Sequence, residues 1–305
     1  MKVFVTGAAG YIGGAICRIL LSSGYEVLGG IRRPATLVAG VVPVVTGDLA
    51  TASLGLSGVD AIVHAAGLGH RRGVDQAVWR RANVDAPVNV ARAALAAGVQ
   101  TFVLISTAHV QGRVHEGVVS DATPENPMDD YAASKLEAER EVAAIMGDRL
   151  SIIRPVAVIG PACPGNLQLV MKLLARHVPL PFGAIRNQRS FIHADDLARL
   201  VLAVLRAGHP PAIALAAHPQ TIDTPTLIRA LAEGMGISPI LLPFPPAILA
   251  AAAGVVGRAA MWQSLAGSFI AAPDAALALG WHPAQSLVED LREVGRYYNT
   301  THATP

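Results

Sequence analysis

Short apolar runs alternate with longer Ala/Leu-rich stretches along the first half of the chain. The apolar runs are rich in β-branched residues and are continuous, which is typical of parallel strands buried on both faces. We predict strands at 2–5, 26–28, 41–45, 61–64, 102–105 and 151–153. Between them the pattern predicts helices at 12–21, 75–97 and 132–145. Repeated strand–helix units of this kind predict an α/β fold with a doubly wound parallel sheet.

The most apolar stretch of the chain, residues 237–256, raises the question of a membrane segment. It contains four prolines in its first half, and the Ala-rich run at 247–256 is too short to span a bilayer. Met1 leads directly into an apolar strand, so we predict neither a signal peptide nor a transmembrane segment. We favour a buried helix or packing within a second lobe, with peripheral membrane contact as the alternative.

Composition narrows the class of protein further. The chain has 305 residues, 52% of them hydrophobic and 15% charged, which excludes intrinsic disorder. Its two cysteines, Cys17 and Cys163, lack the spacing of a metal site and exclude a disulfide scaffold. A net charge of +2 without a long basic run argues against a nucleic-acid partner. We therefore expect a cytoplasmic globular protein without a metal.

The sharpest motif follows the first predicted strand and reads Thr6-Gly7-Ala8-Ala9-Gly10-Tyr11-Ile12-Gly13. Glycines at this strand-to-helix turn allow close approach of the backbone, so that the helix N-terminus can receive a pyrophosphate. A glycine turn with a purely structural role is the alternative. Because a strand precedes the motif and a helix follows it, we predict a dinucleotide site formed by Gly7, Ala9, Gly10, Tyr11, Ile12 and Gly13.

The end of the second predicted strand distinguishes the two nicotinamide cofactors. An acidic residue there would bind a free ribose diol, but this chain has Arg32 and Arg33 after Gly30 and Ile31. A guanidinium favours a 2′-phosphate through a charge-assisted hydrogen bond. Two solvated loop arginines are the alternative. The sequence thus favours NADP(H) and leaves NAD possible.

Small and acidic residues end the third and fourth predicted strands. Asp48 can accept a hydrogen bond from an adenine amino group and Leu49 can pack on the ring, although a Gly-Asp pair is also a common turn. Ala65, Ala66 and Gly67 leave room for ribose and diphosphate. His64 has no second ligand at a useful spacing, so we predict a packed histidine there and no metal ligand.

Tyr131 and Lys135 are four residues apart on a predicted helix and therefore share one face. An ammonium near a phenol stabilises the phenolate and lowers its pKa toward the working pH for proton transfer. A hydroxyl from Ser106 or Thr107, at the preceding strand end, can bind the reacting oxygen. Chance produces Tyr-x-x-x-Lys often, but here it follows a nucleotide turn and the strands in order.

Together these motifs resemble the extended short-chain dehydrogenase/reductase family, in its NAD(P)-dependent epimerase/dehydratase branch that acts on nucleotide sugars. The resemblance rests on the glycine motif, Gly47-Asp48-Leu49, His64-Ala65-Ala66, Asn83-Val84, Ser106-Thr107, Tyr131/Lys135 and Arg154-Pro155. It implies that Tyr131 is the acid/base, that Lys135 activates it and holds the ribose, and that Thr107 binds the substrate. It also implies cofactor contacts from Asn83, Ser106, Pro155 and Val156, and a substrate contact from His109. Gln111 stands where tyrosine is usual, on the substrate side.

The second half carries its own resemblance to nucleotide-sugar enzymes. Asn166 and Leu167 resemble the helix start that holds a diphosphate, Phe182 resembles the aromatic that packs on uracil, and Arg189 resembles an arginine that pairs with the diphosphate. Simpler roles as helix cap, core residue and surface residue remain the alternatives. A second arginine element of many UDP-sugar epimerases is missing, and Arg258 is a candidate to replace it.

The resemblance implies a Rossmann-type domain of residues 1–163 plus about 191–218, with a smaller α/β substrate-binding lobe of about 164–190 and 219–305. We expect NADPH-dependent reduction of a UDP-linked 4-keto sugar for polysaccharide synthesis by a homodimer. The alternatives are a UDP-sugar 4-epimerase with bound NAD, a small aldehyde or alcohol reductase, and a non-catalytic sensor. Work close to the inner membrane surface would account for the hydropathy of the last third.

Overall fold

Parallel strands form the central sheet in the computed structural model of the chain, which describes residues 1–69, 73–113, 117–255, 257, 262 and 265–302. The strands in chain order are β1 (Lys2–Thr6), β2 (Glu26–Ile31), β3 (Val42–Val45), β4 (Ala61–His64), β5 (Thr101–Ile105), β6 (Val118–Val119), β7 (Leu150–Pro155), β8 (Ala157–Ile159), β9 (Phe191–His193), β10 (Ile213–Ala216) and β11 (Ile270–Ala271). Seven of them make one sheet in the order β10-β7-β5-β4-β1-β2-β3, and β11-β6 and β8-β9 make two small pairs.

The strand order explains where a ligand site can form. β1 pairs on one side with β2 and on the other with β4, so the winding of the chain reverses direction beside β1. In an open parallel sheet, the crevice outside the carboxyl ends of the strands at such a reversal is the usual ligand site. The predicted doubly wound α/β fold is confirmed.

The helices in chain order are α1 (Tyr11–Ser22), α2 (Gln76–Arg80), α3 (Ala86–Ala96), α4 (Asp130–Met146), α5 (Asn166–Ala175), α6 (Ala194–Arg206), α7 (Thr224–Gly234), α8 (Pro246–Val255), α9 (Asp274–Ala278) and α10 (Leu287–His302). The single helix predicted at 75–97 is wrong in one respect. A π-helical turn, Arg81–Asp85, separates α2 from α3. Pro87 lies at the start of α3 and has no N–H to continue a regular helical ladder.

Alternate residues of the strands face two different cores. On β1, Val3 and Val5 join one cluster with residues of α1 and α6, whereas Phe4 joins the other with residues of α3. Burial on both faces is why these strands are continuously apolar. The same expectation is wrong for β3, where Val42 and Val45 are exposed, because β3 lies at the edge of the sheet.

A third core cluster lies in the second half of the chain and joins α5, α7 and α10. Helices α7 and α10 pack closely because glycines face each other's backbone. A Cβ on Gly234 would lie 2.1 Å from the carbonyl oxygen of Arg292, and one on Gly295 would lie 2.2 Å from that of Leu231. Residues of both 1–163 and 191–218 contribute strands to the central sheet, and the limits of the two predicted units remain a prediction.

The expectation of a buried helix in the apolar stretch is wrong, whereas the packing expected within the second lobe is seen for Ile237 and Leu241. Helix α8 is apolar along its whole length, yet none of its ten residues is buried. Within the described part of the chain, no helix has both the length and the hydropathy needed to cross a bilayer.

Candidate functional site

The candidate site lies along the carboxyl ends of five adjacent strands of the central sheet, β7, β5, β4, β1 and β2. Parallel strands bring the loops that follow them to one edge, so motifs that are distant in sequence meet there. The strand register shows this directly. Thr6, the last residue of β1, pairs with Gly30 of β2 and with His64 of β4. The N–H of Ser106 donates to the carbonyl of Ile153 at 2.7 Å, which joins β5 to β7 at the same edge.

The glycine loop after β1 has no room for side chains. A Cβ on Gly13 would lie 2.1 Å from the carbonyl oxygen of Gly7, and one on Gly7 would lie 2.9 Å from the backbone of Ala66. Gly7 also has φ +69°, a conformation that favours glycine. The N–H of Gly7 donates to the carbonyl of Gly30 at 3.0 Å and fixes the loop on β2. This close-packed cradle fits the pyrophosphate of a dinucleotide.

Helix α1 begins directly after this loop, and no side chain caps its first turn. Ala9 and Gly10 are exposed there, with Ile12 partly buried behind them. The first N–H groups of a twelve-residue helix are thus available to an anion. The side chain of Tyr11 points elsewhere: it packs in both the sheet core and the lobe core, and its hydroxyl lies near Gly160. Only the backbone of Tyr11 remains a candidate for cofactor contact.

Two basic and one acidic side chain lie at the end of the edge formed by β2 and β3. Arg32 and Arg33 directly follow β2 and are exposed. Asp48 follows β3, and its carboxylate accepts hydrogen bonds from the N–H of Ala50 and from Arg81, at 3.1 and 2.8 Å. Those hydrogen bonds, with a smaller effect of Arg32, lower the pKa of Asp48. Leu49 is partly buried beside the sheet core. Both oxygens of Asp48 therefore already have a partner.

Asn83 organises the segment after β4. Its Oδ1 accepts from the N–H of Leu68 at 2.8 Å, and its Nδ2 donates to Ser134 on α4 at 3.1 Å. The π-helical turn places Asn83, almost fully buried, between this segment and α4. A Cβ on Gly67 would lie 3.1 Å from Oδ1 of Asn83, while Ala65 and Ala66 are partly buried. Asn83 therefore links the backbone of Leu68, directly after Gly67, to α4.

Tyr131, Thr107 and Lys135 lie together where β5 meets α4. Tyr131 is hydrogen-bonded to the hydroxyl of Thr107, and the ammonium of Lys135 donates to the carbonyl of Ile105 at 2.7 Å. Thr107 also caps the following 3-10 turn by accepting from the N–H of His109. Asp129 caps α4 through the N–H of Ala132 at 2.7 Å, which sets Tyr131 in the first turn of that helix. Phenol, hydroxyl and ammonium are thus anchored to the sheet edge.

Electrostatics of this group differ from residue to residue. Burial raises the pKa of Tyr131, the hydrogen bond with Thr107 lowers it, and Asp129 raises it. Burial lowers the pKa of Lys135 to about 8, and Glu139 acts in the opposite direction. Lys135 therefore carries a buried ammonium near neutral pH without a salt-bridge partner in direct contact within the described part of the chain. Lys135 is not among the groups that shift the pKa of Tyr131 in this structure, so its effect on the phenolate remains a prediction.

Two aromatic neighbours of Tyr131 complete the surroundings. Trp79 lies with its ring centroid 5.7 Å from that of Tyr131, and His109 lies 6.4 Å away with its ring perpendicular. Sequence reasoning did not identify Trp79 because α2 carries no motif. Trp79 is buried in a helix whose other residues are exposed, and a lone tryptophan there is the one signal that the sequence offers. His109 was predicted as a substrate contact, and it lies beside Tyr131.

The structure shows the contacts of Gln111 and His64, two residues named in the sequence analysis. Gln111 is 1% exposed, and its amide donates to the carbonyls of Ser120 and Thr123 at 2.8 and 2.9 Å. It braces the loop that follows β6, and its place on the substrate side remains a prediction. His64 is fully buried, its Nδ1 lies 3.1 Å from the hydroxyl of Thr6, and its pKa falls to about 3 because of burial and Lys135.

Pro155 and Val156 lie buried at the end of β7, next to the strand that leads to Ser106. Ser106 is buried as well. The N–H of Val156 donates to the carbonyl of Ala216 on β10, which holds the end of β7 in the sheet. This is the side of the edge where Tyr131 lies, so Pro155 and Val156 remain candidates for the nicotinamide end of the cofactor.

The predicted substrate residues are spread over the second lobe. Asn166 is exposed and opens α5, while Leu167 and Phe182 pack against the lobe core. Arg189 is partly buried and donates to the carbonyl of Gly267 at 3.2 Å, and burial lowers its pKa. The contacts among the described residues do not bring these four side chains together. Their roles remain predictions, and Arg258 lies outside the described residues.

Three side chains have the spacing of a metal site, but the proton of the histidine among them lies on the nitrogen that would bind the metal. Ligand atoms of His193, Asp290 and Glu293 lie within 4.8 Å of one another. The Nδ1 of His193 accepts from the N–H of Asp195 at 3.2 Å, so the neutral ring carries its proton on Nε2. A protonated Nε2 has no lone pair for a cation; it lies 3.9 Å from a carboxylate oxygen of Glu293 and has no hydrogen-bond partner among the described residues.

Comparison with known proteins agrees with this geometry. The model of the NAD dependent epimerase/dehydratase family matches residues 3–216. A UDP-glucose 4-epimerase of Vibrio cholerae is 29% identical over 97% of this chain and 95% of its own length. A ceramide reductase of Caulobacter vibrioides is 32% identical over 86% of this chain and 78% of its own length.

Solved structures share the fold. The UDP-glucuronic acid 4-epimerase of Bacillus cereus, in complex with NAD, has a TM-score of 0.80 at 22% identity, covering 99% of this chain and all of that one. A human epimerase family protein with NADPH has a TM-score of 0.75 at 22% identity, covering 97% and 99%. Family match, fold and edge geometry agree on an NAD(P)-dependent enzyme with a Rossmann-type sheet. The chain belongs to the NAD dependent epimerase/dehydratase family of extended short-chain dehydrogenases/reductases.

Proposed function

We propose that this enzyme reduces the C4 ketone of a UDP-linked 4-keto or 4-keto-6-deoxy sugar with NADPH, as a step in polysaccharide synthesis. The observation that carries the proposal is the group of Tyr131, Thr107 and Lys135 at the same sheet edge as the glycine cradle. Arg32 and Arg33, with no acidic residue at the end of β2, support NADP(H) over NAD.

Each residue of the group has a defined task in this reaction. The nicotinamide supplies the hydride when the cofactor is bound. Tyr131 donates a proton to the ketone oxygen as it becomes an alcohol, and Thr107, already hydrogen-bonded to Tyr131, orients that oxygen. The buried ammonium of Lys135 stabilises the resulting phenolate. Trp79 and His109 keep water from the reacting face.

Binding of the nucleotide is assigned to the second lobe. The Vibrio cholerae relative is named for a UDP-sugar, and UDP-sugars are the named ligands of several proteins with the same fold. We assign the diphosphate to Asn166, the backbone of Leu167 and Arg189, and the base to Phe182. The partly buried guanidinium of Arg189 supports this assignment, since a buried cation gains most from an anionic ligand.

A UDP-sugar 4-epimerase with tightly bound NAD is the second candidate. It is favoured by the match to the Vibrio cholerae epimerase over nearly the whole of both chains. The same Tyr131 would remove and return one proton while the ketone intermediate rotates. A non-catalytic sensor is a weaker candidate, because Tyr131 and Lys135 are both present. A small aldehyde or alcohol reductase is also weaker, because the lobe contains Arg189.

The cofactor decides between the two candidates. Purified protein is denatured and the released nucleotide is identified. We expect NADP(H), or an empty site that takes up NADPH, whereas stoichiometric NAD would assign the enzyme to epimerisation. Thermal unfolding with UDP and with AMP then tests the substrate class. We expect UDP to raise the Tm and AMP to leave it unchanged; equal responses would contradict the nucleotide assignment of the lobe.

Tyr131→Phe tests the chemistry directly. Loss of the phenolic proton donor is expected to lower kcat by about 10²–10⁴-fold while cofactor binding is retained, because Phe keeps the ring against Trp79. Tyr297→Phe, at an exposed position of α10, is the matched control and is expected to keep full activity. Near-full activity of Tyr131→Phe with the proposed substrate would overturn the assignment of Tyr131.

The assembly and location of the enzyme complete the proposal. We propose a homodimer in the cytoplasm, where the two free, buried cysteines remain reduced. Sedimentation velocity of the purified enzyme measures its oligomeric state, and a monomer would contradict the proposed homodimer.

A further inference from the structure

The segment before α8 and helix α8 itself form an exposed apolar surface on the second lobe. Every residue from 242 to 248 is exposed, and none of the residues of α8 is buried. A helix that is apolar on all sides is normally covered by something. We define the apolar face by its large exposed side chains, which are Val178, Ile240, Leu242, Phe244, Ile248 and Val255.

Backbone pairing holds the parts of this face together. The N–H of Leu180 donates to the carbonyl of Ile240 at 2.8 Å, and the N–H of Leu242 donates to the carbonyl of Leu180 at 2.9 Å. Leu180 is buried in the lobe core by this pairing, whereas Ile240 and Leu242, on either side of Leu241, remain exposed. The exposed side chains of Ile240 and Leu242 are therefore held on the lobe by backbone pairing.

The two segments of sequence that form the face carry charge of one sign. Residues 149–194 and 234–273 contain no Asp or Glu. Lys172, Arg176 and His177 are exposed at the end of α5, directly before Val178. Arg186 is exposed beside the face, since its guanidinium donates to the carbonyl of Gly183, whose N–H donates to the carbonyl of Leu242. The face thus combines exposed apolar side chains with a basic border.

We propose that the apolar face docks on an anionic phospholipid bilayer, with Ile240, Leu242, Phe244 and Ile248 entering the interface and the basic border contacting the headgroups. Shallow burial of apolar side chains together with basic residues on the border is the combination that holds proteins at anionic lipid surfaces. A second copy of the chain fits less well. Two-fold pairing of this face would set the basic borders of two copies against each other without acidic residues from these segments.

Vesicle flotation of the full chain tests the proposal. The wild-type protein is expected to float with vesicles of mixed phosphatidylglycerol and phosphatidylcholine at low salt and to float much less with phosphatidylcholine alone. Raising the salt to about 0.5 M should weaken binding, because screening removes most of the headgroup attraction while the apolar contacts remain. Absence of flotation with the anionic vesicles would overturn the proposal.

Two variants of equal exposure separate this face from ordinary surface. Ile240 and Val42 are both 50% exposed, and Val42 lies on edge strand β3, in the sheet. Ile240→Asp is expected to reduce partition onto anionic vesicles about tenfold, while Val42→Asp leaves it unchanged. Equal partition of the two variants would contradict the assignment.

A third variant keeps the test independent of folding of the 240–244 segment. Arg176→Glu, at the exposed end of α5, is expected to reduce partition at least fivefold at low salt and to have little effect at high salt. Circular dichroism and thermal unfolding check that each variant is folded. A wild-type dimer that Ile240→Asp converts to monomer, without vesicle binding by either protein, would assign the face to a second copy instead.

Discussion

The cofactor edge and the apolar face use the same small residues for opposite purposes. At the edge, Gly7 and Gly13 approach other backbone so closely that a Cβ would overlap it. On the face, a Cβ on Gly254 in α8 would meet no atom within 4 Å. At the edge, glycine is needed because there is no room for a side chain. On the face, glycine leaves open space around the helix. Glycine and alanine content therefore has no fixed structural meaning until the neighbours of each residue are known.

The largest expected difference between the two regions concerns their arginines. Arg154 on β7 is buried and bonded to Glu139 on α4 at 2.6 Å, whereas Arg186 beside the apolar face is exposed. Arg154→Met leaves the carboxylate of Glu139 buried without its cation, and we expect a loss of about 3–5 kcal/mol in the free energy of unfolding. Urea denaturation measures it.

Arg186→Met is the control and is expected to change stability by less than about 0.5 kcal/mol, because the exposed guanidinium donates only to the backbone carbonyls of Gly183 and Ile185 among its described contacts and leaves no buried charge behind. Similar losses for both variants would mean that the sheet region is no more tightly packed than the lobe.

Glycine substitutions test the same contrast at the backbone. Gly13→Ala places a methyl group 2.1 Å from the carbonyl oxygen of Gly7, so the glycine loop must move. We expect a loss of about 3 kcal/mol in stability and weakened cofactor binding, measured by denaturation and by fluorescence titration with NADPH. Gly254→Ala, which adds its methyl to open space within a helix, should be neutral or slightly stabilising. Unchanged NADPH affinity in Gly13→Ala would show that the cradle does not hold the cofactor.

The smallest predicted effect is a pH dependence confined to the sheet region. The pKa of buried His64 is about 3 in the folded protein, against 6.5 for an ordinary histidine, so the unfolded chain binds a proton first. Stability is fully present above pH 6.5 and falls as the pH decreases toward 3, by about 2 kcal/mol between pH 7 and 5. His64→Asn should lose this part of the dependence, and exposed His209→Asn should keep it. Parallel curves for all three proteins would contradict the prediction.

Most of the sheet was predictable because burial on both faces leaves a direct trace in the sequence. β1, β4 and β5 are continuous apolar runs, and the predicted strands match them to within a residue. β10 was missed because it follows the change of pattern after Gly160, where the chain returns to the sheet from the lobe. Local periodicity records how each segment is covered, but it does not record which segment returns to which partner.

The site was predictable only in part, for a related reason. Tyr131 and Lys135 share a helix face, so their proximity follows from spacing alone. Trp79 reaches Tyr131 from α2, and Asn83 reaches α4 from the π-helical turn, through contacts between elements that no spacing encodes. The buried helix expected in the apolar stretch failed in the same way. Hydropathy shows that α8 is apolar, but it does not specify whether the helix packs inside the protein or on its surface.

The cap at Asp129 ties the reaction to the fraying of one helix end. Asp129 holds the first turn of α4, and Tyr131 lies in that turn. Helix ends open far more often than whole domains unfold, and a capping side chain contributes about 1 kcal/mol to keeping them closed. When this turn is open, the proton donor Tyr131 is no longer held beside Thr107. Damage to the cap would therefore appear as slower turnover in a protein whose melting curve has hardly moved.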